Sequence, residues 1–266
     1  MHLTADGVRL HIEALGDGPP VVLLHGGLGM DHTYFRPDFD QLADRWRVVY
    51  FDQRGNGRSD VPDAPITFQS LADDAADLIR DLGGSAAVIG HSMGGFVAQE
   101  LALSHPEVVD RLVLLSTTPG QPGAADDMSA DQGPPMPADL VALMSELPTT
   151  DDDYAERLPD LLPYYMFGDP QLLAERFAGT TMRVRAMQEG FQSLAAWSSV
   201  DRLAGLAMPV LLLVGDHDLF TAHQQSERIA RLVPHAELEI IPNAGHFPWL
   251  EAPGVFFERL RSFLDG

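Results

Sequence analysis

The stretch Val88-Ile89-Gly90-His91-Ser92-Met93-Gly94-Gly95-Phe96-Val97-Ala98-Gln99 decides how the rest of the chain is read. Its centre is Gly90-x-Ser92-x-Gly94. Ahead of it, Ala86-Ala87-Val88-Ile89 is an apolar run that fits a short buried strand. Behind it, Phe96, Val97, Leu101 and Leu103 lie in a segment of helical character that Pro106 stops. A strand that becomes a helix within one residue must turn sharply at Ser92. A β-carbon two residues to either side would collide with the neighbouring strand or helix, so glycine stands at both positions. The turn lifts the Ser92 hydroxyl clear of the sheet. It also leaves the Met93 N–H at a helix start, aimed at developing negative charge. In a chain with 24 glycines the bare pentad is weak. Its strand–corner–helix setting is what makes Ser92 a candidate nucleophile.

Outward from this corner the chain alternates. Val8 to Ala14 alternates apolar and polar, as a half-exposed strand entered through an Asp6-Gly7 turn. Val21-Val22-Leu23-Leu24 reads as a buried strand ending in His25-Gly26-Gly27-Leu28-Gly29. Phe39, Leu42 and Ala43 mark a short helix. Arg47 to Phe51 is a strand running into Asp52-Gln53-Arg54-Gly55-Asn56-Gly57-Arg58-Ser59, residues 67–82 an amphipathic helix, and Arg111 to Leu115 a further strand. Short apolar strands alternating with helices imply an α/β fold, a mostly parallel central sheet flanked by helices. From Thr118 to about Ala207 the pattern breaks. Residues 119–139 are rich in Pro, Gly, Asp and Met; helical pieces follow at Leu172–Phe177 and Arg183–Phe191, and no buried-strand run is visible. Alternation resumes with Pro209 to Val214, a helix near Gln224 to Leu232, a strand from Glu237 to Ile241 and a last helix from Val255 to Leu264. Residues 119–206 are therefore expected to be a helical cap, or lid, inserted between two strands, with 1–118 and 207–266 forming the core. A plain linker is the competing reading of 120–138.

A serine hydroxyl is a poor nucleophile without a base in reach and a third group to orient that base. In open α/β sheets such groups stand on loops at the carboxyl ends of strands. His246 lies on such a loop, Pro242-Asn243-Ala244-Gly245-His246-Phe247-Pro248, and is the expected base. His91 is expected to pack beneath the site, and His25 to fix its own loop. His217 sits between carboxylates but in no helical zinc motif. The strand ending at Val214 continues as Gly215-Asp216-His217-Asp218. Both acids qualify, and Asp218 is preferred because it has cleared the strand. Ser116-Thr117-Thr118-Pro119 offers no rival carboxylate. For the oxyanion the expected donors are the N–H groups of Met93 and Gly27, with Leu28 a weaker candidate than Gly27. No phosphate-binding glycine loop is present, so no nucleotide, cofactor or metal is expected.

Composition narrows the partners. The 266 residues carry a net charge of −22, and all 17 basic residues are arginine. A surface this acidic disfavours nucleic acid and anionic membranes as partners and would tend to repel anionic substrates and tolerate cationic ones; the expected partner is a small-molecule substrate. The absence of cysteine removes disulfides and a thiol nucleophile. The N-terminus shows no basic and apolar signal pattern, and no stretch approaches the ~20 apolar residues of a membrane span. A cytoplasmic protein is expected; oligomeric state is not legible.

With these residues in hand, the chain resembles the α/β-hydrolase superfamily over nearly its whole length. His25-Gly26-Gly27-Leu28-Gly29, Asp52-x-Arg54-Gly55-x-Gly57-x-Ser59 and Gly90-His91-Ser92-Met93-Gly94-Gly95 are similar to the proline iminopeptidase-like branch. The resemblance implies a Ser92–Asp218–His246 triad and an acyl-enzyme. Two positions depart from that branch: Leu28 stands where it usually has Pro, and Trp197 is followed by Ser198-Ser199 rather than Glu. A small ester or lactone is therefore expected before an N-terminal Pro peptide or other amide. A ligand receptor that uses the cap to signal binding is the competing class. Leu28, Tyr165, Phe167, Trp197 and Phe247 are the expected substrate-binding residues.

Overall fold

The computed structural model describes residues 1–27, 29–121 and 133–266. Its first strands, β1 (His2–Leu3) and β2 (Arg9–Leu10), form a small hairpin closed by Gly7. Seven further strands build the main sheet: β3 (Ile12–Leu15), β4 (Pro20–Leu24), β5 (Arg47–Phe51), β6 (Ala86–His91), β7 (Val109–Leu115), β8 (Val210–Gly215) and β9 (Glu237–Ile241). Their order is β3-β5-β4-β6-β7-β8-β9. Only the edge strand β3 is antiparallel to its neighbour; the other pairings are parallel.

The expected strand from Val8 to Ala14 is in fact two. His11 leaves the ladder because its N–H goes to the Ser59 hydroxyl while its carbonyl accepts from Asp52. That break lets β2 pair with β1 while β3 joins the main sheet. The short helix around Phe39 is a 3₁₀ segment, Asp38–Asp44.

Successive side chains of the central strands alternate between two apolar layers. Val22, Leu24, Val88, Leu112, Leu114 and Leu212 point to one layer, where α1 (Phe68–Leu82), α2 (Met93–Ser104) and α7 (His223–Leu232) pack. Val21, Leu23, Ile89, Val113, Leu115 and Leu213 point to the other, which holds Phe35, Phe39 and the last helix, α8 (Pro253–Asp265). Burial on both faces is why these strands read as unbroken apolar runs. Thr67 and Ser70 cap the start of α1 reciprocally.

Between β7 and β8 the chain makes a helical excursion: α3 (Ala138–Ser145), α4 (Asp151–Tyr165), α5 (Pro170–Phe177) and α6 (Val184–Ala196). It leaves and returns through one neck, where Gly120 bridges Ser198 and the Gln121 N–H reaches the Trp197 carbonyl at 3.0 Å. No helix among the described residues is long and apolar enough to cross a membrane.

Candidate active site

The corner between β6 and α2 is one residue wide. Ser92 has φ 53° and ψ −119°, a region that costs a non-glycine residue about 1–3 kcal/mol. The surroundings hold it there. The Ser92 N–H is bound by the Leu115 carbonyl at 2.9 Å, and the Thr117 hydroxyl donates to the Ser92 carbonyl at 2.8 Å. A β-carbon on Gly94 would sit 2.1 Å from the Leu24 carbonyl oxygen, so helix and strand meet here with no room for a side chain. Met93 opens α2, and its N–H therefore has no intrahelical acceptor.

His246 and Asp218 come together from the loops after β9 and β8. His246 Nδ1 lies 2.8 Å from Asp218 Oδ2, and both residues are buried. The other carboxylate oxygen accepts from the N–H groups of Phe220 and Thr221, each at 2.9 Å, and the Thr221 hydroxyl donates to Oδ2 at 2.7 Å. Burial pushes the Asp218 carboxyl up. The facing His246 and these donors outweigh burial and bring it down to about 2. An acceptor-only carboxylate fixes the His246 proton on Nδ1, which leaves Nε2 with a lone pair able to accept a proton. Asp216 is engaged elsewhere, with His217 Nδ1 at 2.6 Å and the Ala244 N–H at 3.3 Å.

The loop after β4 brings Gly26 beside the corner at Ser92, with Gly27 next to it. A β-carbon on Gly26 would lie 2.8 Å from Ser92 Cβ. The Gly26 N–H is already given to the Tyr34 hydroxyl at 2.6 Å. Tyr34 in turn lies 2.9 Å from His91 Nδ1, and His91 Nε2 lies 3.1 Å from the His246 carbonyl. The directions follow from the chemistry. The His246 carbonyl can only accept, so His91 donates its proton from Nε2; Nδ1 of the neutral ring then accepts from the Tyr34 hydroxyl, which itself accepts from Gly26. Burial and then His246 hold the His91 pKa well down, consistent with that neutral form. His91 thus packs beneath the site as expected, and ties the loop of Gly26 to the loop of His246.

Ser92, His246, Gly27 and Met93 all line one cavity of about 1140 Å³. Tyr165 and Phe247 line it too, with Tyr165 stacked on Phe220 at 4.0 Å. Two expected pocket residues are elsewhere. Phe167 is 49% exposed and lies over the His217 ring. Met166 is extended after α4, so consecutive side chains diverge; Met166 turns inward and Phe167 outward. Trp197 packs against Phe68 and Phe96 at the neck, its indole N–H 2.8 Å from Glu100 Oε2. A half-buried indole goes where its N–H finds an acceptor, and here that is Glu100 on α2. Leu28 lies outside the described residues, as does most of the expected linker.

A family model described as the alpha/beta hydrolase fold matches residues 19–253. The chain belongs to that family. Among its relatives is RutD of Caulobacter vibrioides, provisionally named a carbamate hydrolase, 29% identical over 99% of this chain and 97% of its own length. The proline iminopeptidase PfmaB of Pestalotiopsis fici is 26% identical over 98% and 97%. Est816, an N-acyl homoserine lactone degrading enzyme of known structure, is 28% identical over 99% and 100%, with a TM-score of 0.76. The relatives are hydrolases, which supports a hydrolase here, and the bonds in their names differ.

In this α/β hydrolase the motif from Asp52 to Ser59 is a brace. Gln53 donates its backbone and side-chain N–H groups to His25 Nε2 and the His25 carbonyl, at 3.2 and 2.8 Å. Asn56 accepts from the Gly29 N–H, and Asp52 holds His32 Nδ1 at 2.6 Å. His25 thus fixes its loop, as expected. Thr221 and Tyr34 are site residues that sequence reasoning missed. Thr221 follows Asp218 by an interval matching a local side-chain turn, a signal that was available; Tyr34 meets His91 only through the fold. Among the described residues no group of three acidic or histidine side chains is arranged to hold a metal ion.

Proposed function

We propose that this protein is a serine hydrolase that cleaves a small ester or lactone through an acyl-enzyme. The observation that carries the reading is the buried His246–Asp218 pair opening onto the same cavity as Ser92 on its strained corner. Ser92 Oγ attacks the substrate carbonyl carbon while its proton passes to His246 Nε2. The N–H groups of Met93 and Gly27 hold the oxyanion. Collapse re-forms the carbonyl and breaks the bond between the acyl carbon and the alkoxy oxygen, and His246 gives the proton to the leaving alkoxide. Water then gives a proton to His246 and attacks the acyl carbon, releasing the acid and restoring Ser92. Asp218 stays ionised throughout and holds His246 in its tautomer.

Steady-state hydrolysis of p-nitrophenyl butyrate and a prolyl anilide tests this. Ser92→Ala is expected to lower kcat on the ester by about 10⁴-fold or more, and adding His246→Ala to lower it little further, since a triad acts as a unit. Ester turnover retained in purified Ser92→Ala overturns the reading. The peptidase reading has support in the kinship with PfmaB and in the acids Asp139, Glu146 and Asp160 along the cavity. A Ser92-dependent preference for the anilide in kcat/KM selects it. Turnover below about one per minute on every substrate favours a receptor.

A further inference from the structure

The cavity is much larger than the triad needs, and its far wall comes from the excursion. Leu143 and Met144 on α3 and Leu147 beyond it line the cavity yet are 38, 36 and 47% exposed. Met187 and Phe191 on α6 line the same cavity. Apolar side chains left this open to water gain from whatever covers them. Besides the histidines, the charged side chains among the described lining residues are Asp139, Glu146, Asp160 and Arg157. All four stand on the excursion. The Arg157 charge is answered by Asp153 Oδ1 at 2.6 Å, and its Nη1 donates to the Glu146 carbonyl at 3.0 Å. Asp139 is held by the Tyr164 hydroxyl, which keeps its carboxyl below the usual range. The far wall is therefore apolar with a negative rim.

Resting on the serine-hydrolase reading, we infer that the cavity takes an uncharged ester or lactone with an extended apolar arm lying along the wall of α3, α4 and α6, and turns away arms that end in an anion. The arm covers Leu143, Met144 and Leu147 while the reacting carbonyl sits at Ser92. A terminal carboxylate would be brought beside Asp139, Glu146 and Asp160, and among the described lining residues the one arginine, Arg157, is already paired with Asp153. Because these acids are exposed, the exclusion acts at entry and is screened by salt.

The test compares kcat/KM for p-nitrophenyl acetate, p-nitrophenyl hexanoate and the mono-p-nitrophenyl ester of adipic acid, whose arm ends in a carboxylate. The hexanoate is expected to exceed the acetate by at least about tenfold, a fraction of the roughly fourfold per methylene that full burial would give. It is expected to exceed the adipate by about tenfold at low ionic strength, narrowing to about twofold in half-molar salt. In Asp139→Asn/Glu146→Gln/Asp160→Asn the hexanoate-to-adipate ratio should fall towards one. In Leu143→Gln/Leu147→Gln the hexanoate-to-acetate ratio should fall. Ratios within one preparation are insensitive to the fraction folded. Equal rates for the three esters, all abolished in Ser92→Ala, would overturn the selection and leave the hydrolase standing. Hydrolysis indifferent to Ser92 would overturn both.

Discussion

Tyr34 shows how much of the site rests on residues that touch no reacting atom. Its buried hydroxyl accepts from Gly26 and donates to His91, which donates to the His246 carbonyl. Tyr34→Phe keeps the ring and removes both bonds, leaving a buried N–H and a ring nitrogen unpaired. Each such loss costs about 1–3 kcal/mol. A stability loss of about 2 kcal/mol in urea is expected, with kcat down about tenfold because the loops carrying the proposed oxyanion donor, Gly27, and the proposed base, His246, are no longer tied. Unchanged kcat in a destabilised variant would show that the relay supports only the fold. Sequence reasoning reached His246, Asp218 and Ser92 because strand ends are legible as apolar runs that stop. It passed over Tyr34 because the partner His91 is 57 residues away. Trp197 and Phe167 were misplaced for a related reason. An aromatic residue in an apolar context says that it packs, and only the neighbouring acceptor, here Glu100, says where.

The elements differ in the same way. The central parallel strands could be bounded to within a residue or two because burial on both faces keeps polar residues out of most of their length. Helix α4 could not, because Pro159 and Pro163 stand inside it and normally argue against a helix. Both prolines are on the exposed side, where a lost backbone bond is replaced by water. The corner at Ser92 was legible as geometry, a strand that becomes a helix within one residue. Its glycines carry a direct prediction. In Gly94→Ala the new methyl would meet backbone oxygens of Leu24 and His25, at 2.1 and 2.6 Å, and no side chain can swing away to relieve it. Helix and strand must part. The expected result is a loss of at least about 3 kcal/mol, with Ser92-dependent activity lost in whatever folds. A Gly94→Ala protein of wild-type stability and activity would mean that the corner is looser than the packing of Leu24 on α2 implies.

At the scale of the molecule the question is which charges decide stability as the pH falls. The net charge of −22 repels itself, and protonating carboxylates relieves that repulsion, but mostly near pH 4. Above that range the buried histidines act first. Burial lowers the pKa of His25 and His91 from the ordinary 6.5. Their folded values lie below their unfolded ones, so the unfolded chain binds more protons and stability rises with pH across the gap. The contribution is complete above about pH 6.5 and is lost as the pH falls below it, at up to about 1.4 kcal/mol per pH unit for each histidine. Asp218 adds a later loss of the same sign, because its folded value of about 2 lies below the ordinary 3.8 and its stabilisation fades between those two. Unfolding free energies measured in urea from pH 7.5 to 4.5 should therefore fall steadily before carboxylate titration begins. His91→Gln should be less stable at pH 7.5, through loss of the Tyr34 and His246 contacts, yet lose stability less steeply, by close to one proton's worth of slope. The two curves should converge towards pH 4.5. Parallel curves would mean that His91 takes up its proton in the folded state, and the direction of donation from Tyr34 through His91 to His246 would then have to be abandoned.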